Sequence, residues 1–336
     1  MSKHLLVAIA DANYLDHVKQ LFSSVYFNAG WKGDYMLMAH DIPEKDLVWF
    51  RDKGILVKKC SPIHNGKESG INYPPIDSSL PEDTKFHMNR FKNLPVILNK
   101  FELFTPEFKK WDTVLYLDCD IIVRYSLEEL TKVSGFAAVL DDPSPRLINQ
   151  FLMTAWSGPL FKELEGAFDV GSPAFNSGVM AFSTDIIEEN SFKELCNLFQ
   201  KYHTICNLYG EQPILNLYFS ERWKRLSCAY NFAGYAMQYL GVSLKLNDAI
   251  VFHLYGNNKP WLPGSSFNTE WKNNLQKAEE INLNDRHIDG NIFTITKMVR
   301  ITDIFYKIDR LIDVKIGLMG IFLKKYYPSL YWLLKK

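Results

Sequence analysis

The stretch Val114-Leu115-Tyr116-Leu117-Asp118-Cys119-Asp120-Ile121-Ile122-Val123 sets two carboxylates between two short apolar segments. Apolar runs of this length read as buried strands. A buried carboxylate without a cation, a hydrogen-bond donor or water is costly, so the chain must fold something charged or wet against this point. In extended backbone, residues i and i+2 share a face. Asp118 and Asp120 can therefore converge on one hard divalent cation, which prefers oxygen ligands. That is the arrangement of a site holding a metal against a phosphorylated substrate. The plainer alternative is a polar strand end closed by salt bridges.

The remaining pattern sets this stretch in an α/β context. Leu5–Ala10 is a continuous apolar run and reads as a buried first strand. Tyr35–Ala39, Ile55–Val57 and Phe136–Leu140 are further strands, and Ala249–Leu254 a late one. Helical spacing at Leu15, Val18, Leu21, Phe22 and Val25 separates the first two strands. Such alternation predicts a mostly parallel sheet with helices on both faces. Ligands of such sheets bind outside the carboxyl ends of the strands, where Asp11 and Asn13 sit. Leu94, Ile97, Leu98 and Phe101 mark a helix face beside Lys100. Phe175-Asn176-Ser177-Gly178-Val179 reads as a turn entering a strand, and Gly210-Glu211-Gln212-Pro213 opens a helix, with Pro where its missing N–H is tolerated. Residues 61–81 and 143–172 read as long loops, the second with some helix. Asp141-Asp142 before Pro143 reads as a turn, with a sugar-hydroxyl contact as the other reading. The other seven histidines (4, 17, 40, 64, 87, 203, 287) show no ligand spacing.

A chain of 336 residues holds one large α/β domain with an appendage, or two domains. Its zero net charge excludes a global field for nucleic acid or anionic membrane. Five scattered cysteines with no C-x-x-C argue against a disulfide framework or a zinc site and fit a reducing, cytoplasmic setting. Six apolar residues after Met-Ser-Lys-His are too few for a signal peptide, and no apolar run reaches membrane-spanning length. The carboxyl-terminal region differs. From residue 297 it carries nine basic residues against three acidic, a net +6 that leaves −6 on residues 1–296. Ile301, Ile304, Phe305, Ile308, Leu311 and Ile312 are spaced for one helix face, and the chain closes on Tyr331-Trp332-Leu333-Leu334-Lys335-Lys336. Basic residues mixed with aromatics suit the surface of a membrane, and a helix packed on the protein or a partner is the alternative.

Taken in order, Ala10-Asp11-Ala12-Asn13-Tyr14, Lys100, Leu117-Asp118-Cys119-Asp120, Phe175-Asn176-Ser177-Gly178-Val179, Glu211-Gln212-Pro213-Ile214-Leu215-Asn216 and His253-x-x-Gly256-x-x-Lys259-Pro260-Trp261 resemble family 8 of the glycosyltransferases. The family includes glycogenin and bacterial lipopolysaccharide galactosyl- and glucosyltransferases. The resemblance runs from about residue 4 to 262. It implies a GT-A type fold over residues 1–265, with a nucleotide half of about 1–125 and an acceptor half of about 126–265, followed by a helical extension over 266–336. It also implies a UDP-sugar donor (UDP-glucose or UDP-galactose), Mn²⁺ or Mg²⁺, and transfer with retention of configuration. By position, Asp118, Asp120 and His253 resemble the metal ligands, and Asp11, Asn13 and Tyr14 the uridine contacts, with Tyr14 placed to stack on uracil. Lys100 resembles a basic donor contact, Asn176 a sugar-hydroxyl contact, and Gly256 and Lys259 the diphosphate clamp. Gln212 resembles the residue beneath the reacting sugar carbon.

The chain departs from the family at Glu211 and Pro213, where Asp is usual or frequent, and at Ile9, where a small residue is common. The first two bear on which sugar is carried. Gln212 is a poor nucleophile, which favours departure and attack on the same face of the sugar, with the leaving phosphate as base. The expected acceptor is a glycan or glycolipid near the inner face of a membrane. Two alternatives come from other classes: a nucleotide-sugar-binding protein without transfer, motivated by Glu211 and Pro213, and a metal-dependent phosphohydrolase.

Overall fold

The computed structural model of the protein describes residues 3–60, 63, 94–141, 146–207, 210–233, 249–254, 259–284, 288–293, 299–300, 303–304, 322–323 and 326–327. The expected loop over 61–81 and nearly all of the basic tail lie outside the described residues, as does Asp142. Ten strands are described: β1 (His4–Ala10), β2 (Asp34–His40), β3 (Leu56–Cys60), β4 (Thr113–Leu117), β5 (Ile121–Val123), β6 (Phe136–Leu140), β7 (Phe175–Ser183), β8 (Trp223–Arg225), β9 (Phe232–Ala233) and β10 (Val251–His253). The α-helices are α1 (Leu15–Ser24), α2 (Glu44–Asp52), α3 (Leu94–Leu98), α4 (Pro159–Ala167), α5 (Ser191–Tyr202), α6 (Glu211–Tyr218) and α7 (Asn268–Lys277).

Seven strands form one sheet in the order β3-β2-β1-β4-β7-β6-β8. Pairing is parallel between β3 and β2, β2 and β1, β1 and β4, and β6 and β8; β7 alone runs antiparallel to its neighbours β4 and β6. The continuous apolar run of β1 follows from burial on both faces. Leu6, Ala8 and Ala10 face one core, with α1, α2 and α7. Leu5, Val7 and Ile9 face the other, with α5 and α6. Each fully buried Leu, Val or Ile among them contributes about 1.5–3 kcal/mol. The parallel strands β1 and β4 end side by side, so Asp11 and Asp118 leave the sheet at one edge, as expected for this sheet type.

One expectation about local geometry changes. Asp118 follows the last residue of β4, and Cys119 and Asp120 form a turn, not extended backbone. The reason lies in the partners. Leu117 pairs with Val179 in the large sheet, whereas Ile121 pairs with His253 in a second sheet of order β5-β10-β9. The chain must break direction between the two, and the carboxylates sit at that break. Elsewhere the strands run up to three residues from their expected bounds, and β7 begins at Phe175 itself, with a register shift between Ala138 and Val139 of β6. No helix among the described residues is long and apolar enough to cross a membrane.

Candidate active site

Antiparallel pairing sets His253 opposite Ile121, the residue after Asp120. His253 Nε2 lies 3.1 Å from Asp120 Oδ1 and 3.8 Å from Asp118 Oδ2. One ligand atom from each of Asp118, Asp120 and His253 lies within 4.8 Å of the others; among the described residues this is the only such group of His, Cys, Asp or Glu. Strand β7 forms the floor. A Cβ on Gly178 would sit 2.2 Å from His253 Cε1 and 2.9 Å from Asp118 Oδ2, so only glycine leaves room for these side chains. Two carboxylates and an imidazole offer a mixed oxygen and nitrogen shell of the kind a divalent ion such as Mn²⁺ tolerates. The Lys259 ammonium donates to Asp120 Oδ2. Burial pushes the Asp120 carboxyl up, but the facing His253 and Lys259 outweigh it and hold it well below the usual carboxylate range.

A second charged group lies beneath the first. Lys100, 2% exposed, places its ammonium 2.7 Å from Glu211 Oε1, 3.1 Å from Asp118 Oδ1 and 3.3 Å from Ser177 Oγ. Burial alone would lower the Lys100 ammonium; the Asp118 and Glu211 carboxylates reverse that and raise it. The Tyr116 hydroxyl donates to Asp118 Oδ1, and its ring lies 4.9 Å below the ammonium. Gln212, at the start of α6, is held on both ends of its amide. Its Oε1 accepts from the Ser177 N–H at 3.0 Å, and its Nε2 donates to Asp141 Oδ2 at 3.0 Å and Gln150 Oε1 at 2.9 Å. Gln150 also donates to Asp141 Oδ2 at 3.0 Å.

The first strand supplies the third side. Asp11 Oδ1 accepts the Asn13 N–H at 2.9 Å and caps the short 3-10 turn Ala12–Tyr14 that leads into α1. The half-buried Tyr14 ring lies 4.8 Å from the His17 ring, and Trp261 meets that ring edge-on at 3.9 Å. Burial, then Asp120, raises the Tyr14 hydroxyl, which places it within the field of the carboxylate pair. The Cys119 thiol donates to Ile9 O at 3.2 Å and ties the turn to β1. Burial pushes that thiol well above the ordinary range, so it is no nucleophile near neutral pH.

Residues 5–264 match the family model described as Glycosyl transferase family 8. The chain belongs to glycosyl transferase family 8. Glycosyltransferase GlyB of Streptococcus pneumoniae serotype 4 (strain ATCC BAA-334 / TIGR4) is 33% identical over 235 residues, which are 69% of this chain and 48% of GlyB. Glycosyltransferase GlyF of the same strain is 27% identical over 271 residues, 78% of this chain and 58% of GlyF. The chain thus spans about half the length of these curated relatives. Among solved structures, an active-site mutant of LgtC gives a TM-score of 0.58 at 17% identity, over 82% of this chain and 95% of LgtC. The apo form of GlyE from S. pneumoniae TIGR4 gives 0.52 at 20%, over 84% of this chain and 63% of GlyE. At such identity the likeness speaks for the fold, the GT-A type.

Of the residues that the family-8 resemblance points to, the fold brings Asp118, Asp120, His253 and Lys259 into one cluster, with Asn176, Lys100, Glu211 and Gln212 packed beneath. Asp11, Asn13 and Tyr14 stand together at the end of β1. Gly256 lies outside the described residues. Several participants carry no signal in the sequence. Asn231, 8% exposed, faces His253 Nδ1, and Gln150, wholly buried, faces Gln212. Asp141, 1% exposed, is more than a turn residue: it accepts from Gln150, Gln212 and Asn176. Isolated amides such as Asn231 and Gln150 have no spacing that would have marked them.

Proposed function

We propose that this family-8 chain transfers a hexose from a UDP-sugar, UDP-glucose or UDP-galactose, to a glycan or glycolipid acceptor, with a divalent metal and with retention of configuration. The observation that carries the reading is the convergence of Asp118, Asp120 and His253 beside Lys259, over a glycine that alone leaves the space. In this reading Asp118, Asp120 and His253 hold Mn²⁺ or Mg²⁺, which when bound supplies positive charge against the charge developing on the departing diphosphate. Lys259 contributes a second cation to the same oxygens, an interaction of about 1.5–3 kcal/mol, and Gly256 lets the backbone approach them. Asp11 and Asn13 bind the uridine, and Tyr14 offers its ring to uracil. Asn176 faces a sugar hydroxyl with its remaining amide hydrogen.

Lys100 and Glu211 support this site from below. Their charges are spent on each other and on Asp118, so we assign Lys100 to holding the carboxylates under the donor. Gln212 favours the same-face route. Its oxygen and both amide hydrogens are engaged, Pro213 beside it bears no carboxylate, and Glu211 is paired with Lys100. Gln212 and Glu211 therefore offer no ready nucleophile for a covalent glycosyl intermediate. The departing phosphate then serves as base for the acceptor hydroxyl.

We read residues 1–125 as the nucleotide half, 126–265 as the acceptor half with 61–81 and 143–172 lining the acceptor side, and 266–336 as an extension. Its basic aromatic end rests on an anionic membrane at the cytoplasmic face. The test of the catalytic reading is UDP release from a panel of UDP-sugars, without acceptor, in Mn²⁺ and in chelator. Slow release from one hexose donor, abolished by chelator and by Asp120→Asn, is the expected result. If UDP-sugars bind but are never turned over, even with glycan acceptors supplied, the chain is a binding protein. Phosphate liberated from UDP itself would make it a phosphohydrolase.

A further inference from the structure

The side chains around His253 form a directed chain of hydrogen bonds whose sense is set by a peptide group. The Gly178 N–H donates to Asn176 Oδ1 at 2.9 Å. A peptide nitrogen can only donate, so the Asn176 atom that faces it is the carbonyl oxygen. Asn231 approaches the same oxygen at 2.8 Å and must present its Nδ2 there. The other Asn231 atom, Oδ1, is then an acceptor, and it lies 2.8 Å from His253 Nδ1. Nδ1 therefore carries a hydrogen, and Nε2 is the nitrogen turned toward Asp118 and Asp120. At the far end Asn176 Nδ2 donates to Asp141 Oδ1 at 3.3 Å, as a carboxylate requires. Flipping either amide would set two donors or two acceptors face to face in a buried place, where an unmade hydrogen bond is most costly.

We propose that Asn231 is a positioning residue for the metal centre. Its carbonyl holds the His253 ring in the one tautomer that offers Nε2 to a cation, and Asn176 transmits the same constraint to Asp141. Asp141 Oδ2 receives Gln212 and Gln150, so the metal-facing imidazole and the amide beneath the sugar carbon stand at two ends of one hydrogen-bonded chain. The inference rests on the reading of Asp118, Asp120 and His253 as metal ligands. Partners that orient a ligating imidazole in this way are typically worth about 10- to 100-fold in metal affinity.

The experiment is Mn²⁺ titration of the full chain without nucleotide, followed by the EPR signal of free Mn²⁺, with thermal melting of each variant alongside. Asn231→Ala and Asn231→Thr, which cannot reach the ring, are expected to bind Mn²⁺ about 10- to 100-fold more weakly than the native chain. Asn231→Asp keeps an acceptor on Nδ1 and, although it gives up the donor to Asn176, is expected to bind Mn²⁺ more tightly than Asn231→Leu, which fills the same space with no acceptor; a mere packing role would not separate the two. If the alanine chain fails to fold, threonine, leucine and aspartate carry the comparison. Native-like affinity in Asn231→Ala or Asn231→Thr, or an aspartate variant no tighter than Asn231→Leu, overturns the proposal. If the native chain takes up no Mn²⁺, the metal reading falls and this inference with it; if it does and Asn231 proves indifferent, only the inference falls.

Discussion

Lys100 shows how a single position can be legible in type and illegible in role. A lysine beside an apolar helix face is an ordinary sight in a sequence, and only its place in the motif order singles it out. The fold buries it among Asp118, Glu211 and Ser177, within a site that would otherwise hold uncompensated negative charge. Glu211 is the counterpart. Its carboxylate lies 2.7 Å from the ammonium. Removing one partner of a buried pair leaves the other charge stranded, typically at about 3–5 kcal/mol. Lys100→Met should therefore lower stability by about that amount in urea denaturation. Lys100→Met with Glu211→Gln should recover part of it, since the two residues are in contact and their effects are not additive. A Lys100→Met chain as stable as the native one would show the pair to be without structural weight.

At the scale of elements, strands β1, β2, β4 and β6 follow from apolar runs too long and too continuous for one-sided burial. Which sheet a strand joins does not follow. The two apolar segments within residues 114–123 read as extended backbone throughout, yet β4 and β5 pair with different partners in different sheets, and the turn that carries the carboxylates exists because of that division. Helix α7 makes the same point. Residues 268–277 are rich in charged and amide side chains, and the sequence offers no reason to put them near α1. In the fold α7 lies along α1, with Trp271 7% exposed and its ring 5.6 Å from His17 and 6.3 Å from Trp261. Truncating so large a buried ring costs about 3–5 kcal/mol in cavity and transfer terms. Trp271→Ala should lower the unfolding midpoint accordingly, while Leu262→Ala, at an exposed position close by, should leave it within about 0.5 kcal/mol. Equal effects of the two changes would mean that α7 is not part of the core.

Over the whole molecule, zero net charge conceals a division between an acidic body and a basic end. Each Lys or Arg near an anionic bilayer is worth about 1 kcal/mol, and salt screens the attraction over a Debye length of roughly 8–10 Å. A chain ending at residue 296 should sediment with anionic liposomes at least about tenfold less than the full chain, with the difference shrinking as salt rises. Equal partitioning would remove the membrane reading and leave the catalytic one untouched. By itself the sequence determined the alternation of buried strands and helices, and the identity and order of Asp11, Asp118, Asp120, Gln212, His253 and Lys259. Those are local matters: an apolar run must be buried, and a carboxylate set within one must be answered. The tertiary structure alone decided that residues 118, 120 and 253 share one point in space, that Gly178 is the floor beneath them, and that Asn231 and Gln150 orient the side chains above. These depend on strand order and register between segments far apart in the chain, and no local pattern encodes which distant backbone a strand will meet.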